Sequence, residues 1–220
     1  MSGNKLLSLV VLELCVNAFV FGLDRHQTIQ VPPVAADSVV TYRHEFDAAS
    51  GQSNIVFSEV ENGESKDIIK VRYSGNFHVE ETNNGQVIFF LRYQKHHSDE
   101  HELWRYDAKR GVIEYISNVT GAYSVSEDGT IVAYVIFRGY DVPNTDIEFF
   151  DIQENSVLKV LNGEEEIGKR YATLDEYEYF EAYVEFDVKS QAFILTMDDW
   201  NEGGPKTFSL YVTISELRGK

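Results

Sequence analysis

The chain has 220 residues, 43% apolar and 25% charged, a balance that supports a packed core and argues against global disorder. Its 36 acidic residues face only 19 lysines and arginines, for a net charge of −17. So acidic a surface repels phosphate backbones and anionic membranes, which excludes nucleic acid as an expected partner. The single cysteine, Cys15, excludes an intramolecular disulfide framework and a cysteine-based zinc site.

Residues 1–5 carry one basic charge, and residues 6–21 form a mostly apolar run that ends at Gly22. This pattern predicts a signal peptide over 1–22, with Gly22 next to the cut, and a periplasmic or secreted protein. Glu13 and Asn17 interrupt the run, which is too short and too polar for a stable membrane span. Cys15 follows Leu12-Glu13-Leu14, which departs from a lipobox at two positions, so a lipid anchor is not expected. Cleavage after Gly22 leaves a mature chain without a thiol, suited to an oxidising compartment. Residues 23–37, with Pro32 and Pro33, read as an extended lead-in.

From residue 38 to 220 the chain is a succession of short β-rich segments separated by polar turns, with 14 Phe and 13 Tyr but only 4 Pro. Strands are predicted at 39–46, 54–59, 67–73, 87–93, 102–107, 112–116, 122–126, 131–137, 146–152, 157–161, 183–188, 192–197 and 208–214. No stretch carries a helical apolar period, and the predicted class is all-β.

An internal repeat organises these strands. With an offset of 44 residues, Asn84-Gly85 falls on Asp128-Gly129, Val87-Ile88-Phe89-Phe90 on Ile131-Val132-Ala133-Tyr134, and Tyr106-Asp107 on Phe150-Asp151. A third copy lies a further 61 residues on, with Lys189-Ser190 as its turn, then Phe193-Ile194-Leu195 and Phe208-Ser209-Leu210-Tyr211. The longer offset is taken up by an acidic, Tyr-rich insertion from Gly163 to Phe180. Upstream, Gly51, Ile55-Val56-Phe57 and Ile68-Ile69-Lys70-Val71 form a shorter copy that lacks its last strand. A period of 40–45 residues with about four strands per unit predicts a small or partial β-propeller of about four four-stranded blades. Each blade would have two apolar faces and could bury them only against its neighbours.

The segment Ser126-Glu127-Asp128-Gly129-Thr130-Ile131-Val132-Ala133-Tyr134, followed by Ile147-Glu148-Phe149-Phe150-Asp151, resembles the WD-like propeller repeat of the TolB type. That repeat reads Ser-Pro-Asp-Gly, then an apolar strand, a hairpin and a strand ending in Asp. Glu127 replaces the usual proline, and Asn84-Gly85 stands for Asp-Gly in the preceding copy. The resemblance implies an envelope protein that serves as a protein-binding platform or as a gating domain on a peptidase. Related proteins have six to eight blades; this chain has strands for about four. The strand at 39–46 could complete the last blade and close the ring. The competing picture is an open fan whose blade edges invite self-association.

Three segments invite chemistry. His96-His97-Ser98-Asp99-Glu100-His101 packs imidazoles and carboxylates into one hairpin, a set suited to zinc, copper or nickel. The competing reading is a solvated loop tip, since residues 139–145 of the next copy repeat none of those ligands. The insertion, with Glu164-Glu165-Glu166, Asp175, Glu176, Glu178 and Glu181 among Tyr171, Tyr177, Tyr179, Phe180 and Tyr183, lacks calcium-loop spacing and suits a protein-contact surface. Asp198-Asp199-Trp200-Asn201-Glu202-Gly203-Gly204 reads as a flexible hairpin with an aromatic anchor. There is no Gly-x-Ser-x-Gly elbow, no His-Glu-x-x-His and no Gly-rich phosphate loop, so no catalytic residue and no cofactor is assigned. The expected function is an exported, non-catalytic scaffold that binds a protein partner. The alternative is an envelope metal-binding protein using His96, His97 and His101.

Overall fold

The computed structural model describes residues 28–35, 38–72, 79–82, 86–93, 100–139, 145–169, 180–199 and 206–219. Strand β1 (Thr28–Gln30) precedes a three-stranded antiparallel sheet of β2 (Val39–Asp47), β3 (Gln52–Glu61) and β4 (Glu64–Arg72). The next unit contains β5 (Glu80–Glu81), β6 (Val87–Tyr93), β7 (His101–Asp107) and the first part of β8 (Val112–Val125). The far end of β8 continues into a third unit with β9 (Ile131–Ile136), β10 (Ile147–Asp151) and β11 (Ser156–Leu161). Helix α1 (Gly163–Gly168) leads towards a three-stranded sheet of β12 (Phe180–Asp187), β13 (Ala192–Asp199) and β14 (Lys206–Thr213), and α2 (Ile214–Leu217) follows. The chain is all-β, built of antiparallel sheets.

Strand β8 joins the two middle units into one continuous eight-stranded sheet, whose halves count as the second and third of four sheets, and the inner strands show why the four hold together. Side chains alternate across a strand, so β6 sends Ile88 and Phe90 to one face and Phe89 and Leu91 to the other. Ile88 and Phe90 join Val40, Ile55 and Phe57 of the first sheet. Phe89 and Leu91 join Tyr123, Val125, Val132 and Tyr134 of the third. Strand β9 repeats the device, with Val132 and Tyr134 towards the second sheet and Ile131, Ala133 and Val135 towards Val184, Phe193, Leu195 and Met197 of the fourth. Each Val, Leu, Ile, Phe or Met among them contributes about 1.5–3 kcal/mol when fully buried. Few backbone or polar ties are needed between the sheets; Tyr123 Oη donates to Phe89 O at 3.1 Å, and Phe186 N to Ser124 Oγ at 3.1 Å.

Four hairpins share one turn. Phe46-Asp47, Tyr106-Asp107, Phe150-Asp151 and Phe186-Asp187 each end a strand, and a residue at positive φ follows four positions after the Asp. Those residues are Gly51 (66°), Gly111 (63°), Asn155 (50°) and Gln191 (50°). The Asp carboxylate accepts from the loop: Ala49 N at 3.0 Å, Arg110 N at 2.9 Å, Gln153 N at 2.8 Å and Lys189 N at 3.2 Å, respectively. It thereby satisfies amides that the tight turn turns away from the strand ladder.

Several expectations are corrected. Residues 112–116 and 122–125 belong to one strand, β8, which pairs with β7 through Val119 and with β9 at Val119 and again from Tyr123. Its register with β9 shifts between Val119 and Tyr123, where Gly121 takes φ 111°, so the strand bends between the two halves of one sheet without a loop. Residues 39–46 pair with β3 inside the first sheet and do not complete the last one. The first and fourth sheets have three strands among the described residues, so the four-stranded expectation holds only for the two middle units. The lead-in is not merely extended. Thr28–Gln30 adds to the outer edge of β8, opposite Val112–Glu114, and Val31 N donates to Gly111 O at 2.9 Å. The two short helices were not expected; α2 is set by a capping box between Thr213 and Glu216.

Candidate functional site

The outer faces of the first and fourth sheets differ in chemistry. Alternation in β12 turns Ala182 and Val184 to the core and leaves Glu181, Tyr183 and Glu185 exposed. In β13, Phe193, Leu195 and Met197 point inward while Ile194 and Thr196 lie half-buried on the outer face. In β14, Phe208 and Val212 point inward while Ser209 and Tyr211 point out. Register places Tyr183, Thr196 and Ser209 in one cross-strand row and Glu185, Ile194 and Tyr211 in the next. Tyr183 is 44% exposed and Tyr211 63%. The Tyr183 hydroxyl donates to the Glu181 carboxylate. The face is therefore aromatic at its centre and acidic at its edge, with no cation among these residues.

The first sheet's outer face is closed by its own ion pairs. Arg43 forks onto Asp67, with Nη1 2.7 Å from Oδ1 and Nη2 2.8 Å from Oδ2. The same guanidinium reaches Glu45, and Lys70 Nζ meets the other oxygen of Glu45 at 2.8 Å. Ser58 Oγ sits between Arg43 Nη1 at 3.0 Å and Asp67 Oδ1 at 2.9 Å. This network lies over Val56, only 2% exposed, and buries Ser58 to the same degree. The Arg43 guanidinium, and then the Ser58 hydroxyl, draw the Asp67 carboxyl down to about 2. Its polar groups satisfy one another.

The sequence candidates are placed as follows. Of the three histidines, His96 and His97 lie outside the described residues, while His101 is the first residue of β7 and is buried. No group of three metal-ligating side chains occurs among the described residues. In the insertion, 163–168 forms α1, residues 170–179 lie outside the described residues, and Glu181 and Tyr183 stand on the fourth-sheet face. Asp198 and Asp199 end β13, and Trp200 to Gly204 lie outside the described residues. No helix among the described residues is long and apolar enough to cross a membrane. Ile194 and Tyr211 were not singled out from sequence. The signal that could have found them is the alternation in 192–197 and 207–213, which puts a large apolar residue on the solvent side of each strand.

No family model matches the chain, and no curated protein matches it. Solved structures do show similarity. The β-propeller domain of the Trilobed protease from Pyrococcus furiosus, described as having an open velcro topology, matches at 12% identity and a TM-score of 0.44, over 87% of this chain and 59% of that one. TolB from Acinetobacter baumannii matches at 16% identity and a TM-score of 0.43, over 77% of this chain and 38% of that one. An acylaminoacyl peptidase from Pyrococcus horikoshii matches at 12% identity and a TM-score of 0.41, over 86% of this chain and 33% of that one. The chain thus spans between a third and three-fifths of the length of these proteins.

Proposed function

We propose that this chain is an exported, non-catalytic binding module of the TolB-like propeller type, its four sheets serving as blades, that holds a cationic protein surface against the outer face of its fourth sheet. The observation that carries the reading is the asymmetry of the two terminal faces. The first satisfies its own charges; the fourth exposes Tyr183 and Tyr211 beside Ile194, with Glu181 and Glu185 at the edge. Tyrosine supplies large contact area with a polar tip and little rotamer entropy to lose, which suits the centre of a protein interface. Carboxylates at the edge of such a face steer a Lys- or Arg-bearing partner and fix its register. The envelope location rests on the signal-peptide pattern of residues 1–22 and on the repeat around Asp128-Gly129.

The test compares the tagged full chain with a Glu181→Lys/Glu185→Lys double variant in recovery from the native envelope fraction. Both positions are exposed, so the variant keeps its fold. The expected result is a stoichiometric basic partner whose recovery falls about tenfold or more in the variant and on raising salt towards 1 M. Equal recovery by both forms overturns the reading. N-terminal sequencing of the mature protein tests export, with Leu23 as the expected first residue and an intact Met1 as the contrary result.

A further inference from the structure

The second and third units each carry a fourth strand; among the described residues the fourth sheet has none. Strand β7 ends at Tyr106-Asp107 and β10 at Phe150-Asp151, and each turns there into an antiparallel outer strand, the first part of β8 and β11 respectively. Their counterpart in the fourth sheet is β14. It runs to Thr213, whose capping box with Glu216 starts α2 in place of an aromatic–Asp turn. Helix α2 sends Leu217 into the core shared with the third unit, and Arg218 Nη2 donates to Thr130 Oγ1 of that unit at 2.6 Å. Among the described residues, β14 forms a ladder with β13 only.

This edge lacks the protection that the others have. Edge strands that stay single carry charges, prolines or bulges. Strand β4 carries Glu64, Lys66, Asp67, Lys70 and Arg72, and its register shifts against β3. Strand β11 carries Lys159 and shifts against β10. Arg43, Glu45 and Asp47 lie on β2, and Glu181, Glu185 and Asp187 on β12. Strand β14 has a single charged residue, Lys206, at its first position, no proline, and an unbroken register with β13. A straight, uncharged edge is a template for another strand.

The ladder fixes which backbone groups face out. Ile214 N donates to Gln191 O at 3.1 Å, so the alternation of an antiparallel pair commits Val212 and Leu210 to β13 and turns Tyr211 and Ser209 away from it. Thr213 N also points away and is taken by Glu216 Oε2 at 2.7 Å. Ser209 and Tyr211 therefore each present an N–H and a C=O to the edge, spaced as a further strand requires. The side chains of that strand would alternate as well. Those beside Leu210 and Val212 fall on the core side, which suits β-branched aliphatic residues, the role Ile113 has in the second unit. Those beside Ser209 and Tyr211 extend the outer face, where a Lys or Arg meets the Tyr211 ring on a surface rimmed by Glu181 and Glu185. A second copy of this chain suits the edge less, because two chains at −17 repel.

We propose that the partner on the fourth-sheet face contributes an extended strand that pairs antiparallel with residues 209–212, its aliphatic side chains inward and its Lys or Arg side chains outward. The inference rests on the fourth-sheet reading for the position and charge of the partner; the backbone pairing is its own claim.

The probe is a short peptide alternating Lys and Val, blocked at both ends and titrated into the full chain. In the proposed pairing the Lys residues stand opposite Ser209 and Tyr211, so their N–H groups face β14 and those of Val face solvent. The expected result is saturable binding that slows hydrogen exchange at the Ser209 and Tyr211 amides about tenfold or more, followed by NMR. N-methylation of the Lys nitrogens weakens binding about tenfold or more, whereas N-methylation of the Val nitrogens does not. Ser209→Pro, which removes an outward N–H and keeps the ladder to β13, weakens it likewise. Slowed exchange with affinity unchanged in Glu181→Lys/Glu185→Lys supports the strand and removes the charge from the face reading. Binding that leaves both amides exchanging as in the free chain, or that survives methylation of the Lys nitrogens, overturns the strand and leaves the face reading standing. No saturable binding, or slowed exchange at both amides in the peptide-free chain as its concentration rises, also overturns the proposal, the latter in favour of pairing between copies.

Discussion

Asp47, Asp107, Asp151 and Asp187 each follow an aromatic residue and each cap the loop that comes next. Two of these pairs, at 107 and 151, were legible because they recur at the repeat offset. The pairs at 47 and 187 do the same work between the first and second strands of their sheets, where no sequence offset links them to the others. The fifth position tolerates Gly, Asn or Gln, so a search for glycine alone misses two of the four turns. Gly111 is the strictest of them. A Cβ there would stand 2.5 Å from Val31 O and 2.8 Å from Pro33 N, and its φ is 63°. Gly111→Ala is expected to lower unfolding free energy by about 1–3 kcal/mol, read from the urea midpoint; an unchanged midpoint would mean that the lead-in does not pack on this turn. Asp67 supplies a pH signature. Its folded pKa is drawn down to about 2 by Arg43, below an unfolded value of about 3.9, so its stabilisation is present above about pH 4 and is lost as pH falls towards 2. Thermal midpoints measured from pH 5 to pH 2 should fall less steeply in Asp67→Asn than in the parent chain; parallel curves would contradict the role given to the Arg43–Asp67 fork.

Most strands were readable because their apolar runs are short, β-branched or aromatic, and bounded by turns. The elements that were not readable depend on distant partners or on a few residues. Thr28–Gln30 is a strand only because β8 offers it an edge more than 80 residues away in sequence, and nothing local marks it. The bend in β8 hides in Gly121, which reads as a turn between two strands but serves as a hinge within one. Helices of four and six residues are shorter than a helical period needs to declare itself. The candidate surface was legible in part. Tyr183 and Glu181 were noted at the end of the insertion, but Ile194 and Tyr211 join them only through the pairing of β12 with β13 and of β13 with β14.

Across the whole molecule, stability comes from sheets that share cores in sequence order, first with second, second with third, third with fourth. Such stacking makes each sheet depend chiefly on its neighbours. Phe193 is the clearest example, fully buried and packed edge-on against both Phe149 and Phe186. Phe193→Ala is expected to cost about 3–5 kcal/mol and to speed amide exchange in β12 to β14 before β6 and β7; uniform acceleration would mean that the four sheets open as one. The repeat period announced this stacking, whereas the chemistry of the two outer faces needed the strand register to be seen. The proposed docking face follows from that register, since the same alternation that fills the core puts Tyr183, Glu185 and Tyr211 on the outside.

The most direct measurement is in-cell photo-cross-linking with a benzophenone side chain at position 211, compared with the same probe at position 39. Val39 is similarly exposed, at 59%, but belongs to the first sheet. A docking surface on the fourth sheet predicts a single discrete heterologous adduct from position 211, abolished by Glu181→Lys/Glu185→Lys and absent from position 39. No adduct at 211, the same adducts at both positions, or adducts only between copies of the chain would contradict it.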